Sequence, residues 1–239
     1  MSSKTLLTRL AIFCLVSILA AASADSPLPG KNAPQGNQQL SPLQVVILLD
    51  INPNQSKVFS LESGLASGVL NHLNQRDAAV SLITFGYGEP ALRSANAKPS
   101  EVVDAIKSVS LEQSGERYFS VHLYKAMDLA LSQFTDDVRP KSLFVIAEGR
   151  EDFGHKAAEQ LASRARQLGV KCHVALVASH SLRGSKSILI YGFYLSDFAR
   201  KTHGRCIEVG DRRKKLPRFV EQFSTDILNH SQNQRIERY

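Results

Sequence analysis

The stretch Gln44 to Asn54, QVVILLDINPN, decides the fold. Val45 to Leu49 are five aliphatic residues without a polar break, which in a segment this short marks a strand buried on both faces. They run directly into Asp50, Ile51, Asn52, Pro53 and Asn54, where turn-forming side chains take over. A buried strand that ends in a carboxylate and two amides stops either at a tight turn or at the floor of a binding site.

Working outward, the same alternation recurs down the chain. Phe59, Leu61, Leu65, Val69, Leu70 and Leu73 repeat at helical spacing, and Ala79 to Phe85 (AVSLITF) is the next strand. Pro90 to Ala95 reads as a short edge strand. Pro99 opens a helix through Val109, and Leu123 to Phe134 carries another. Ser142 to Ala147 (SLFVIA) is a strand. His155 to Leu168 is a helix stopped by Gly169, the residue expected just past a helix C-terminus. Val170 to Ala178 is a strand, Leu195 to Thr202 a helix closed by Gly204, and Arg205 to Val209 a short strand. Leu216 to Asn229 is the final helix.

Strands alternating with helices of this length predict an α/β fold. The sheet is doubly wound and mostly parallel, with about six strands, one antiparallel edge strand and helices on both faces. Such sheets bind ligands beyond the carboxyl ends of the strands, where the strand order reverses. Asp50 and Glu148 each follow a central strand, so the two acids are expected to converge there if those strands are neighbours.

The first two dozen residues do not belong to this domain. Lys4 and Arg9 precede the apolar run Leu10 to Ala22, and Ala22-Ser23-Ala24 has the small-x-small form of a processing site. A cleaved signal peptide over residues 1–24, with cleavage after Ala24, predicts a secreted or periplasmic protein without a stable membrane span. Loss of those residues removes two bases and no acid from a chain of net charge +7, leaving +5. Residues 25–42, with four prolines and two glycines, read as a linker. The domain itself is expected over 43–230, with a polar tail at 231–239.

The charge is basic without being extreme, and its one dense cluster is Arg212, Arg213, Lys214 and Lys215. No aromatic residues interleave with it, which speaks against nucleic acid as partner. Cys172 and Cys206 remain after processing and form a disulfide candidate in an oxidising compartment.

Catalytic motifs are scarce. No G-x-S-x-G elbow, phosphate loop or G-x-G-x-x-G follows a strand. The seven histidines show no metal-ligand spacing. A hydrolase built on Asp50 or Glu148 with a histidine such as His122 stays open as a minor alternative.

Taken in order, these blocks resemble a von Willebrand factor A domain, and in particular bacterial exported proteins carrying one. VVILLDINPN is similar to the family strand ending in D-x-S-x-S, and AVSLITFG to its second strand. LYKAMDLAL resembles the helix after the family's threonine loop, and SLFVIAEGRED the strand ending in T-D-G-x-D. RQLGVKCHVALVA with LSDFARKTHGRCIEV resembles the closing units. The likeness spans roughly Leu43 to Asn229.

It implies a non-enzymatic protein-interaction module whose partner is another protein. It also implies a metal-ion-dependent adhesion site, and here that site is degenerate. Asp50 is kept, Asn52 and Asn54 replace the two serines, and Glu148 replaces the second aspartate with a side chain one methylene longer. The threonine falls near Ser120 or Val121, and the register of LYKAM places it at Val121, which offers no oxygen. Magnesium requires near-octahedral oxygen ligands at ~2.0–2.1 Å, so this set predicts no bound cofactor, or weak magnesium, manganese or calcium. A divalent-metal-dependent module with a working site is the alternative. The resemblance also sets the strands of Cys172 and Cys206 side by side, within reach of a disulfide if the two residues are level.

Overall fold

A computed structural model describes residues 43–51, 56–86, 88–111, 122–148, 154–177, 186–210 and 213–236. Within Leu40–Tyr239, one compact unit, six strands form one sheet: β1 (Leu43–Asp50), β2 (Ala78–Phe85), β3 (Ala91–Ala97), β4 (Lys141–Ala147), β5 (Val170–Leu176) and β6 (Cys206–Glu208). Their spatial order is β3-β2-β1-β4-β5-β6. Every pairing is parallel except that of β3, which runs antiparallel to β2. The expected doubly wound sheet with one antiparallel edge strand is therefore the fold.

All eight residues of β1 are buried, because the strand has neighbours on both edges and helices on both faces. Alternation divides the core in two. Val45, Ile47 and Leu49 pack with Phe144 and Ile146 under α1 (Ser56–Leu73) and α6 (Leu216–Ile236). Val46 and Leu48 pack with Leu143 and Val145 under α3 (Leu123–Ser132), α4 (His155–Gln167) and α5 (Lys186–Lys201). α2 (Pro99–Lys107) completes the α1 side.

The helix α6 can lie close on α1 because α1 presents glycines there. A Cβ at Gly68 would stand 2.6 Å from Val220, and one at Gly64 3.3 Å from Leu216. Phe223 then reaches the sheet, its ring centroid 4.7 Å from that of Phe144.

Most boundaries shift by one or two residues, and three of the differences are instructive. β3 extends to Ala97 because side chains of β2 tie it down: Arg93 donates to Thr84 Oγ1 at 2.9 Å, and the Asn96 amide donates to Ser81 Oγ at 3.1 Å. α5 starts at Lys186, nine residues before the predicted Leu195. Its first half is rich in β-branched and aromatic residues and contains Gly192, a composition typical of strands. Gly192 turns out to be a packing contact, 3.4 Å from Leu176 as a Cβ would see it. α6 continues through Ile236, seven residues past the expected end at Asn229.

The end of α5 is a Schellman turn with an unusual distribution of roles. His203 donates to Arg200 O at 3.1 Å and Gly204 to Ala199 O at 2.9 Å. The left-handed position is held by His203, with φ 59°, and not by a glycine. Gly204 is needed one step later, where the chain crosses β5: a Cβ there would stand 1.8 Å from the Cys172 carbonyl oxygen.

Candidate functional site

β1 and β4 are neighbours, and β1 leads out to β2 on its other side, so the strand order reverses between β1 and β4. The last register pair of these two strands is Leu49 with Ile146, which puts Asp50 level with Ala147 and Glu148 one step beyond. Both acids are buried, each 1% exposed. The strand ends that carry the two residues singled out from sequence are thus neighbours at the switch point.

Alternation refines how they meet. Asp50 continues the row of Val46 and Leu48, on the side of α3 and α4. Glu148 continues the row of Phe144 and Ile146, on the side of α1 and α6. The two backbones converge while the side chains start from opposite rows. For a hydrolase that needs two carboxylates in one pocket, that is a poor starting arrangement.

Around Asp50 the edge is held by backbone bonds. Ile51 donates to Phe85 O at 2.8 Å and His122 donates to Gly86 O at 3.3 Å. Gly86 lies tight against Ile51, whose Cγ1 would be 3.2 Å from an added Cβ. His122 is half-buried at the start of α3, followed by the exposed Tyr124. Lys125 pairs with Glu89 at 2.5 Å across the same rim. The hydrogen bond from Lys125 holds the exposed Glu89 carboxyl below its ordinary range.

A third buried acid belongs to this end, and the sequence reading missed it. Glu62 is 2% exposed, on the face of α1 that carries Val58, Leu61, Leu65 and Ala66. It stands six residues into α1, about 9 Å along the helix from its start. The available signal was an acid at a core position of an otherwise apolar helical pattern. Among the described residues no three His, Cys, Asp or Glu side chains are grouped closely enough to share a metal ion. Asn52, Asn54, Ser120, Val121 and Arg212 lie outside the described residues. In the basic cluster, Arg213–Lys215 form a 3-10 turn, with Lys214 and Lys215 exposed.

The disulfide expectation is corrected: Cys172 and Cys206 are free thiols. Their strands are adjacent, yet Cys206 is level with Val174, two residues further along than Cys172. Two residues of offset across ~4.8 Å of strand spacing separate the Cα atoms by about 8 Å, outside the ~4.4–6.8 Å a disulfide accepts. Burial pushes the Cys172 thiol up to about 12, against the opposing effect of its hydrogen bond with Thr202. Burial likewise raises Cys206 to about 11, with Ser196 as the opposing partner. Thiols this far from ionisation are poor nucleophiles. Native protein treated with iodoacetamide near neutral pH is expected to stay unmodified at both positions and to be alkylated at both after denaturation. Rapid native labelling of either, read by peptide mass spectrometry, contradicts this.

No protein-family model matches the chain, and no curated protein matches it. Solved structures do. An aerotolerance-related membrane protein from Bacteroides fragilis is similar at a TM-score of 0.61 and 17% identity, over 78% of this chain and 99% of that one. BatB from Bacteroides thetaiotaomicron is similar at 0.61 and 16%, over 80% and 99%. The VWA domain of SpRpn10 is similar at 0.57 and 12%, over 75% and 94%. In strand order, in the single antiparallel edge strand and in these likenesses, the chain has a von Willebrand factor A-like α/β fold.

Proposed function

We propose that the chain is an exported, non-catalytic protein-interaction module that receives its partner at the carboxyl edge of the sheet, around the loop after β1. The observation that carries this reading is the buried Asp50 at the switch point, followed by Asn52 and Asn54 where the metal-binding form of the fold has hydroxyls. A buried carboxylate must have hydrogen-bond donors or a cation. Asn52 and Asn54 supply amide donors two and four residues away, so the loop can satisfy Asp50 from within.

The donor set does not fit magnesium. Two amides replace hydroxyls, Val121 has no side-chain oxygen, and Glu148 carries an extra methylene on the row opposite to Asp50. Export rests on the basic start, the short apolar run and Ala22-Ser23-Ala24. Among the described residues no helix is long and apolar enough to cross a membrane.

Calorimetry with magnesium, manganese and calcium is expected to give dissociation constants of about 1 mM or weaker, equivalent to no more than ~4 kcal/mol. Micromolar binding of any of them favours the metal-dependent form of the module instead. The docking edge is tested by placing a photo-crosslinking residue at Tyr124, on the rim, or at Arg76, at the opposite end of the sheet, in the producing cell. Adducts from position 124 and none from 76 support the assignment. Equal adducts from both, or adducts from 76 alone, refute it.

A further inference from the structure

We propose that the corner between β6 and α6 is an electrostatic docking patch for an acidic segment of the partner protein, an inference that rests on the carboxyl edge being the docking edge. Three described bases stand within five residues there, on the turn before α6 and in its first turn. Lys214, Lys215 and Arg218 are all exposed, and none makes an ion pair among the described residues. Lys125, Arg164, Lys201 and Arg205 are tied to acids, and Arg76, Lys98, Arg166 and Lys171 also have no ion pair among the described residues, so this corner is distinguished by three exposed bases within five residues. Helix α6 has no acidic residue in its first turn to offset these charges. A cation there is opposed by the helix dipole, which favours negative charge at that end. This is an arrangement that folding alone does not reward.

Packing fixes where the patch points. Leu216, Phe219, Val220 and Phe223 turn inward onto α1 and the sheet, which leaves Arg218 on the outer side of the first turn and the two lysines on the turn before it. Leu216 sits 3.3 Å from a Cβ placed at Gly64. Gly64 is eight residues into α1, about 12 Å along the helix from its start just after the β1 loop. An extended segment of roughly four residues, at about 3.3–3.6 Å each, bridges that distance. A partner held at the β1 loop can therefore lay an acidic run across the bases. Such complementarity raises the association rate and sharpens the choice of partner more than it adds affinity.

The chemistry favours an acidic protein segment over other anions. Surfaces that bind lipid combine bases with large apolar side chains that insert. The exposed large apolar residues among those described are Leu92, Tyr124, Val138 and Phe193, and none is on β6 or α6. Single-stranded nucleic acid calls for aromatic side chains among the bases, and none stands between Asp211 and Arg218.

The test uses the full chain and fluorescence anisotropy with a labelled decaglutamate peptide. Binding is expected at low salt and should weaken steeply toward physiological salt, where the Debye length falls to ~8 Å. Substituting K214Q, K215Q and R218Q together should weaken it about tenfold, with the melting temperature unchanged or slightly raised. The control R166Q with K171Q, at the opposite end of the sheet, should change it by less than about twofold. Equal losses in the two variants overturn the proposal, as does parent-like binding by the triple variant. Capture of the chain by vesicles of equal parts phosphatidylglycerol and phosphatidylcholine, lost in the triple variant and without decaglutamate binding, reassigns the patch to lipid and also overturns it. Because decaglutamate reads the patch without the β1 loop, this result and the Tyr124 crosslinking result can fail independently.

Discussion

Gly204→Ala is expected to lower the melting temperature by about 10 °C, because one methyl group would be placed on top of a backbone carbonyl. The added Cβ would lie 1.8 Å from the Cys172 oxygen and 2.5 Å from its carbonyl carbon. No rotamer change can relieve that contact. Either β5 must move, in a core where Cys172 and Val174 are fully buried, or the Schellman turn after α5 must open. Overpacking a core ordinarily costs about 1–3 kcal/mol, and a clash between backbone atoms belongs at the upper end or beyond, at about 3 kcal/mol or more. At roughly 2–4 °C per kcal/mol for a domain of this size, the shift is readily measured by calorimetry. The neighbouring His203→Gly is the control. His203 holds φ 59°, so glycine there should be neutral or stabilising by up to about 1 kcal/mol. A Gly204→Ala protein that melts with the parent would mean that the chain does not cross β5 this closely.

The second large effect is a gain of metal affinity. Asn52→Ser, Asn54→Ser, Val121→Thr and Glu148→Asp together should tighten magnesium or manganese binding from about 1 mM to about 10 μM, about a hundredfold or about 2.7 kcal/mol. The reasoning is one of ligand chemistry. Two hydroxyls replace amides, an oxygen appears at position 121, and the second acid is shortened toward the geometry magnesium demands. Removing the amides also takes away the donors that can satisfy Asp50 internally, so its carboxylate would need the cation. Titration calorimetry on the quadruple variant is the measurement, with a thermal melt to confirm folding. A folded variant that binds no tighter than the parent would show that the register at Val121 is wrong, or that the likeness ends at the fold.

Much of the architecture was legible because it is written in local patterns. Five aliphatic residues running into Asp50 mark an interior strand in a chain that alternates strands with helices, and β1 is buried throughout. The same alternation placed Asp50 and Glu148 after central strands, and the switch point falls between those strands. Gly169 stops α4 with φ +68°, as a glycine after a helical run should.

What escaped the reading depends on contacts across the fold. The first half of α5 has strand-like composition and is helical, with Gly192 set against Leu176 of β5, because a propensity difference of a fraction of a kcal/mol per residue is readily overridden by tertiary context. Glu62 has an acid's side chain and a core residue's position, and only the packed helix shows that it is buried.

The chain's own order of residues therefore determined the class of fold, the switch-point position of Asp50 and Glu148, and the presence of two amide side chains, Asn52 and Asn54, just after Asp50. Those follow from periodicity and residue chemistry, which are local. Tertiary structure alone decided that Cys206 stands opposite Val174 and leaves both thiols free. It also decided that Asp50 and Glu148 start from opposite rows and that Gly204 crosses the Cys172 carbonyl. The physical reason is register: a shift of two residues along a strand moves a side chain by ~6.6 Å, and a shift of one turns it to the other face. Such shifts leave no mark on composition or period, and they are set by how neighbouring strands and helices pack.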